Sequence, residues 1–243
     1  MHDSVLVADS GVAAVRTLQG LQELGIKAIS VHTSEDATAL HATCADESVL
    51  LGPTRASYRD VRKLIEAARQ VGAEAVHPVH AEIPGLEAAV RGARLEWLGG
   101  ILRLPVELTI GDGVVEARLA DHAVVVPAVA ARAAEIVSGL DLTETALEGE
   151  SEGVARGGVA VSIDIVATEL AQVTTYQPPE LPDVWVDAAI TEGTVPVDTL
   201  LAVLTVWGDD LDAAYDLACA AWDQLVIEGP TVPRPEAVGG APT

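Results

Sequence analysis

The sequence predicts an α/β chain: a doubly wound parallel sheet over residues 1–100, followed by an α+β region. Three observations predict it. Short apolar runs at residues 4–9, 26–32, 47–51 and 74–77 alternate with segments of helical periodicity, the pattern of strand–helix–strand units in a parallel sheet. Gly99-Gly100 then marks a boundary. Beyond it two apolar runs flank Gly111-Asp112-Gly113, a hairpin signal, and an amphipathic stretch follows near the end.

The elements follow in order. Residues 4–9 are apolar enough for a buried strand. Val12, Val15, Leu18, Leu21 and Leu24 then recur at helical spacing, and Gly25 supplies the stop. Residues 26–32 read as the second strand and 47–51, ending at Gly52-Pro53, as the third. Residues 58–71 are expected to be a helix with Val61, Leu64, Ile65 and Ala68 on one face. Residues 74–77 form a short strand before Pro78, 84–91 a helix, and 95–98 a last strand.

Past residue 100, residues 106–110 and 114–119 form the hairpin strands, and 129–137 a short helix. Residues 148–158 read as an exposed loop, 159–167 as a strand, 184–190 as another, and 200–207 as a helix-to-strand segment. Leu211, Ala214, Tyr215, Ala218 and Trp222 mark a helix over 211–225. Prolines 230, 233, 235 and 242 predict a loose tail. The expected domains are 1–100, a central stretch 101–157, and 158–232, with 233–243 as tail.

Composition narrows the function classes. The 243 residues are 49% hydrophobic, enough for a core, and no apolar run reaches the ~18 residues of a membrane helix. Residues 1–11 lack a basic stretch followed by an apolar one, so a cytoplasmic location is expected. The formal charge of −23, from 37 acidic and 14 basic residues, repels phosphate backbones and argues against nucleic acid as a partner. Cys44 and Cys219 form neither a metal motif nor a disulfide framework. His77 and His80 with Glu82 fall short of the three or four ligands a zinc site wants. No serine sits in a nucleophile-elbow context. Trp97, Trp185, Trp207 and Trp222 are expected to be core or interface anchors.

A family resemblance then enters. Val5-Leu6-Val7-Ala8-Asp9-Ser10-Gly11, Ala13-Ala14-Val15-Arg16 and Gln22-Glu23-Leu24-Gly25-Ile26-Lys27 resemble the opening of the biotin carboxylases, I-A-N-R-G-E-I-A-x-R followed by E-L-G-I-x-T-V-A-V. Asp36, Leu40, His41, Ala45-Asp46-Glu47, Gly52-Pro53, Ser57-Tyr58 and Ala75-Val76-His77-Pro78 continue the match. Residues 158–167 are similar to the family's G-H-A-I-E-C-R-I-N-A. Gly193-Thr194-Val195-Pro196, Asp198-Thr199-Leu200-Leu201-Ala202 and Val206-Trp207 are similar to its G-x-x-V-P-x-Y-Y-D-S-L-L-A-K-x-I-V-W. The resemblance implies a pre-ATP-grasp, Rossmann-like N-terminal domain and a biotin-carboxylase-like C-terminal domain, with most of the intervening ATP-grasp domain missing. Leu104-Pro105-Val106-Glu107-Leu108 and Glu135-Ile136-Val137-Ser138-Gly139-Leu140 resemble remnants of it.

Function is read from what the resemblance leaves unmatched. Family members use ATP to activate bicarbonate, and phosphate charge must be met by cations and amide donors. The two lysines here are Lys27 and Lys63, so neither nucleotide-binding lysine has a counterpart, and the chain has no asparagine. The family arginine of E-C-R-I-N-A falls on Asp164, and the lysine of D-S-L-L-A-K on Val203. The glycines of its H-P-G-Y-G-F loop are replaced in His77-Pro78-Val79-His80-Ala81-Glu82. No biotinyl lysine flanked by methionines is present, Met1 being the single methionine.

The resemblance therefore implies a non-catalytic biotin-carboxylase-like protein, with no catalytic residue, cofactor or metal expected. It would serve as a structural or regulatory partner of acyl-CoA carboxylase subunits, or as a homodimer. Family members dimerise through the first helix and the C-terminal domain, at positions matching Gln19, Glu23 and Trp185. An alternative is a small-metabolite sensor using the mouth of the first sheet, at Asp9, Ser10, Gly11, His77 and His80, where α/β sheets bind ligands. A residual ATP-dependent carboxylase is the third reading.

Overall fold

Ser4 and three apolar residues after it, Val5, Leu6 and Val7, form β1, and all four are buried. In the computed structural model, which describes residues 2–79, 83–99, 103–140, 143, 147 and 155–239, β1 lies at the centre of a five-stranded sheet. Its neighbours are β2 (Lys27–Thr33), β3 (Glu47–Gly52), β4 (Ala75–His77) and β5 (Glu96–Trp97), in the order β3-β2-β1-β4-β5. Every pairing is parallel, with Val5 opposite both Ala28 and Ala75.

The period of two along a strand sends alternate residues to opposite faces. Leu6, Ile29, Val31 and Val49 meet Leu64 and Ala68 of α3 (Val61–Gln70) and Leu86 and Val90 of α4 (Leu86–Gly92). Val5, Val7, Ala28 and Ala75 meet Ala14, Leu18 and Leu21 of α1 (Gly11–Glu23). A short α2 (Leu40–Thr43), which the periodicity does not predict, follows β2.

The expected helix over 58–71 starts later. Residues Arg55–Arg59 form a 3-10 turn, and Asp60 caps α3 by accepting from the backbone N–H groups of Arg62 and Lys63 at 3.1 and 3.2 Å. Tyr58 is drawn out of the helical register because its hydroxyl is used inside the protein.

By contact the chain forms two units, one on residues 1–100 and one taking in both 101–145 and 150–243. The second unit holds a five-stranded antiparallel sheet in the order β10-β11-β8-β7-β6. Its strands are β6 (Arg103–Gly111), β7 (Val114–Val125), β8 (Val159–Val166), β10 (Val184–Ala188) and β11 (Leu200–Gly208). The predicted hairpin joins β6 to β7, with Asp112 at φ 46° and Gly113 at φ 75°, the two left-handed residues of a type I′ turn. β9 (Thr175–Gln177) and β12 (Val226–Glu228) pair separately.

Residues 200–207, read as helix-to-strand, are strand throughout. β11 lies between β8 and β10 with both faces covered, so its run of apolar residues reflects a central strand rather than a helix turn. One face packs Val161, Ile163, Leu204 and Val206 on Ala214, Ala218 and Ala221 of α6 (Leu211–Gln224). Gly208 sits against the start of that helix, where an added Cβ would lie 2.5 Å from the Ala214 nitrogen. The other face packs Val106, Val115, Ala117 and Ala160 on Ala133, Ala134 and Val137 of α5 (Ala131–Ser138).

The expected loose tail is anchored over its described part. Val238 is fully buried in the α6 core, and Arg234 pairs with Asp223 and donates to the Val238 carbonyl at 2.6 Å. Residues 240–243, and 148–154 of the expected exposed loop, lie outside the described residues.

Charge divides unevenly. Residues 1–100 carry 9 basic and 13 acidic side chains, and residues 101–243 carry 5 and 24, giving formal charges of −4 and −19.

Candidate functional site

The carboxyl ends of β1 and β4 bring Asp9, Ser10, Gly11 and His77 to neighbouring strand ends. The Ala8 N–H donates to the His77 carbonyl at 2.8 Å, extending the β1–β4 pairing past the end of β1. Ser10 occupies the N-cap of α1 in an extended conformation without a side-chain cap bond, and its N–H donates to Asp9 Oδ1 at 2.8 Å. Gly11 opens the helix at φ 74°. His77 is buried, and its Nδ1 accepts from the Val79 N–H at 2.8 Å. Val79 has φ 54°, a left-handed conformation that costs a β-branched residue of order 1–3 kcal/mol. His80 and Glu82 lie outside the described residues.

A second polar cluster in this unit was not singled out for chemistry by the sequence. Asp36 is fully buried. Its Oδ1 accepts from the N–H and hydroxyl of Thr33 at 2.6 and 2.9 Å, and its Oδ2 accepts from the Tyr58 hydroxyl at 2.8 Å. His41 Nε2 lies 3.0 Å from the Tyr58 oxygen and 3.9 Å from Asp36 Oδ2. Burial pushes the Asp36 carboxyl up, but the Thr33 and Tyr58 hydrogen bonds and the field of His41 outweigh it and hold the group below its ordinary value. Burial first, and then the Asp36 carboxylate, push the Tyr58 phenol well above its ordinary value. The arrangement clamps the turn after β2 to the 3-10 turn before α3. The sequence carried a signal for it: Thr33-Ser34-Glu35-Asp36 has the [ST]-x-x-[DE] pattern in which a carboxylate reaches back to the N–H three residues earlier.

In the second unit, Asp187 of β10 pairs with Val203 of β11, and Val203 pairs with Asp164 of β8. The Asp164 N–H donates to the Gly113 carbonyl at 2.9 Å. Two rungs along, next on the same face, is the buried Ser162–Thr205 hydroxyl pair at 2.7 Å. Burial pushes the Asp164 carboxyl above its ordinary value.

Over the same face, Arg132 of α5 lies 3.1 Å from Glu135 Oε2 and 3.3 Å from Asp187 Oδ2. Glu135 is itself buried. Arg156 stacks over Trp207 at 4.2 Å and Trp185 at 5.4 Å and pairs with Asp183. An open groove of about 400 Å³ runs past Arg132, Glu135, Arg156 and Trp185. Its two guanidinium groups are already committed to carboxylates, so it offers no surplus positive charge.

Gln19 and Glu23 are exposed one turn apart on α1, a surface a partner can reach. Trp185 belongs to the second unit and is half-buried on β10, the edge strand opposite β6. Among the described residues, no group of three or more His, Cys, Asp and Glu is arranged to hold a metal ion. No described helix is long and apolar enough to cross a membrane.

Comparison with known proteins places these features. Residues 1–101 match the family described as biotin carboxylase, N-terminal domain. The biotin carboxylase of Pseudomonas aeruginosa is 44% identical over 80 residues, covering 32% of this chain and 18% of that protein. The mitochondrial propionyl-CoA carboxylase alpha chain of Sus scrofa is 41% identical over 78 residues, covering 31% and 11%. The matched stretch thus spans less than a fifth of either relative.

Solved structures extend the likeness of fold. A biotin carboxylase from Campylobacter jejuni superposes with a TM-score of 0.77 at 17% identity, covering 96% of this chain and 93% of that one. Rhizobium etli pyruvate carboxylase gives 0.79 at 17% identity, covering 95% and 36%. Residues 1–101 thus match the biotin carboxylase N-terminal domain, and the fold of the chain resembles that of solved biotin carboxylase structures.

Proposed function

We propose that this chain is a non-catalytic biotin-carboxylase-like protein, acting as a structural or regulatory partner in an acyl-CoA carboxylase system or as a homodimer. One observation carries the reading. Asp164 and Val203, the positions where the resemblance implies an arginine and a lysine, are cross-strand partners on β8 and β11. A guanidinium beside an ammonium would attract bicarbonate and phosphate. A carboxylate beside an isopropyl group, with the Asp187 carboxylate next along the rung, repels them and donates nothing to a developing oxyanion.

The lysine count supports the same reading, since Lys27 and Lys63 both precede the hairpin region. The partner class is inferred from relatives named biotin carboxylase and propionyl-CoA carboxylase alpha chain. Gln19 and Glu23 on α1 and Trp185 on β10 are the proposed contact positions, and the cytoplasm the proposed location.

Two measurements test this. Affinity capture of the tagged chain from its own host should recover carboxylase subunits in stoichiometric amounts, or a self-associated species when they are absent. Gln19→Ala, Glu23→Ala and Trp185→Ala should each reduce that recovery. Purified protein should release no phosphate from ATP in response to bicarbonate; bicarbonate-dependent cleavage would overturn the non-catalytic reading.

A further inference from the structure

The sheet of the second unit ends on β6, whose one strand neighbour among the described residues is β7. Pairing alternates along an antiparallel ladder. The two-residue turn makes Gly111 and Val114 a hydrogen-bonded pair, so Gly111, Thr109 and Glu107 direct their N–H and C=O groups at β7. Val106, Leu108 and Ile110 must then direct theirs away from it, along the open edge.

Natural edges are usually blunted by proline, bulges or charge. Here Pro105 sits at the register shift between Leu104 and Val106, before this stretch, and leaves it unprotected. Glu107 projects from the other face and faces Arg118 across the ladder. On the Val106 face Ile110 is 51% exposed and Leu108 half-buried, while Glu107 and Thr109 are exposed on the other.

We propose that β6 is a docking edge for β6 of a second copy, related by a two-fold axis through Leu108. The stretch is complementary to itself in one antiparallel register. Leu108 faces Leu108 of the mate, and Val106 and Ile110 face each other twice, which forms about six backbone hydrogen bonds between the copies. Side chains agree with that register. The apolar residues of both strands share one face. On the other, Glu107 falls opposite Thr109 rather than a second Glu107, so each carboxylate keeps Arg118 as its neighbour without a like charge opposite. A parallel arrangement would set Glu107 beside Glu107.

The contact is short, below the ~1,600 Å² of a standard interface, so association in the micromolar range is expected. The −19 formal charge on residues 101–243 opposes it. Raising salt screens that repulsion and should tighten the dimer, the reverse of an interface held by ion pairs.

Sedimentation equilibrium of the full chain, at low and high sodium chloride, tests the proposal. A monomer–dimer equilibrium strengthened by salt is expected. Ile110→Pro removes an outward N–H while sparing the bonds to β7, and should weaken association by at least about tenfold at unchanged far-UV dichroism. Leu108→Cys, oxidised with diamide, should form a symmetric 108–108 disulfide, because hydrogen-bonded antiparallel partners lie ~5.5 Å apart at Cα.

A chain that stays monomeric up to about 1 mM overturns the proposal. So does a dimer that Ile110→Pro leaves unchanged and that yields no 108–108 link. If that dimer is instead dispersed by Gln19→Ala, Glu23→Ala or Trp185→Ala, the homodimer of the proposed function survives while the β6 edge does not.

Discussion

Asp36 of the first unit and Asp164 of the second meet burial in opposite ways. In the first, Asp36 lies fully buried and is met by donors on Thr33 and Tyr58, so its charge is stabilised inside the protein. In the second, burial raises the Asp164 pKa, and the neighbouring strand positions supply Val203 and the backbone of Gly113. The first unit is nearly balanced in charge and keeps recognisable sequence over residues 1–101. The second carries most of the negative charge. A sheet scaffold tolerates substitution at such positions, provided the apolar alternation is kept. A buried carboxylate network does not, because removing one member leaves its partners unsatisfied.

Asp36→Ala should break this contrast most severely. It strands the Thr33 N–H and hydroxyl without their acceptor, leaves the Tyr58 hydroxyl the Val31 carbonyl at 3.2 Å, and should cost the first unit about 3 kcal/mol. Hydrogen exchange resolved by segment should show β2 and α3 losing protection while β8 and β11 keep theirs. Equal loss in both units would mean that they unfold together and the comparison fails.

Val79→Gly should act in the other direction. The resemblance places a glycine there, and the backbone still holds the left-handed conformation with valine. Relief of about 1–3 kcal/mol of strain exceeds the ~1 kcal/mol entropic cost of glycine. Chemical denaturation should report a net gain of about 1 kcal/mol in the first unit, and a loss would show that Val79 packing outweighs its strain.

The smallest effect sharpens the comparison through pH. Asp36 titrates below its unfolded value in the native state, so its contribution is present above about pH 4 and disappears as pH falls through the native value. Asp164 is shifted upward, so its contribution is present below about pH 4 and disappears as pH rises through the native value. Acidification should therefore strengthen the second unit before it weakens the first. Asp164→Asn should raise the unfolding midpoint of the second unit at pH 7 and leave it nearly unchanged at pH 3. An equal rise at both values would assign the effect to packing rather than charge.

Much of this fold was legible because it rests on local periodicity. Residues 4–9 and 26–32 predicted β1 and β2 within two residues at either end, and Gly111-Asp112-Gly113 predicted the hairpin, whose turn holds two left-handed residues. Local periodicity misjudged 200–207, since an apolar run suits a central strand and a buried helix equally. It also carried the helix over 58–71 through Tyr58, whose hydroxyl is held by an aspartate 22 residues away. Asp9, Gly11 and His77 could be assigned to strand ends because a parallel sheet puts every carboxyl end on one side.

Composition and order along the chain determined the loss of lysine after residue 63, the −23 charge and the place of each element. The sequence could name Asp164 and Val203 separately as replaced positions. Only the register of β8 against β11 made them neighbours, and only the strand order left β6 on an open edge. Both depend on pairings between residues tens of positions apart, which hydrogen-bond alternation and the packing of α5 and α6 on the sheet select together, and which no local pattern encodes.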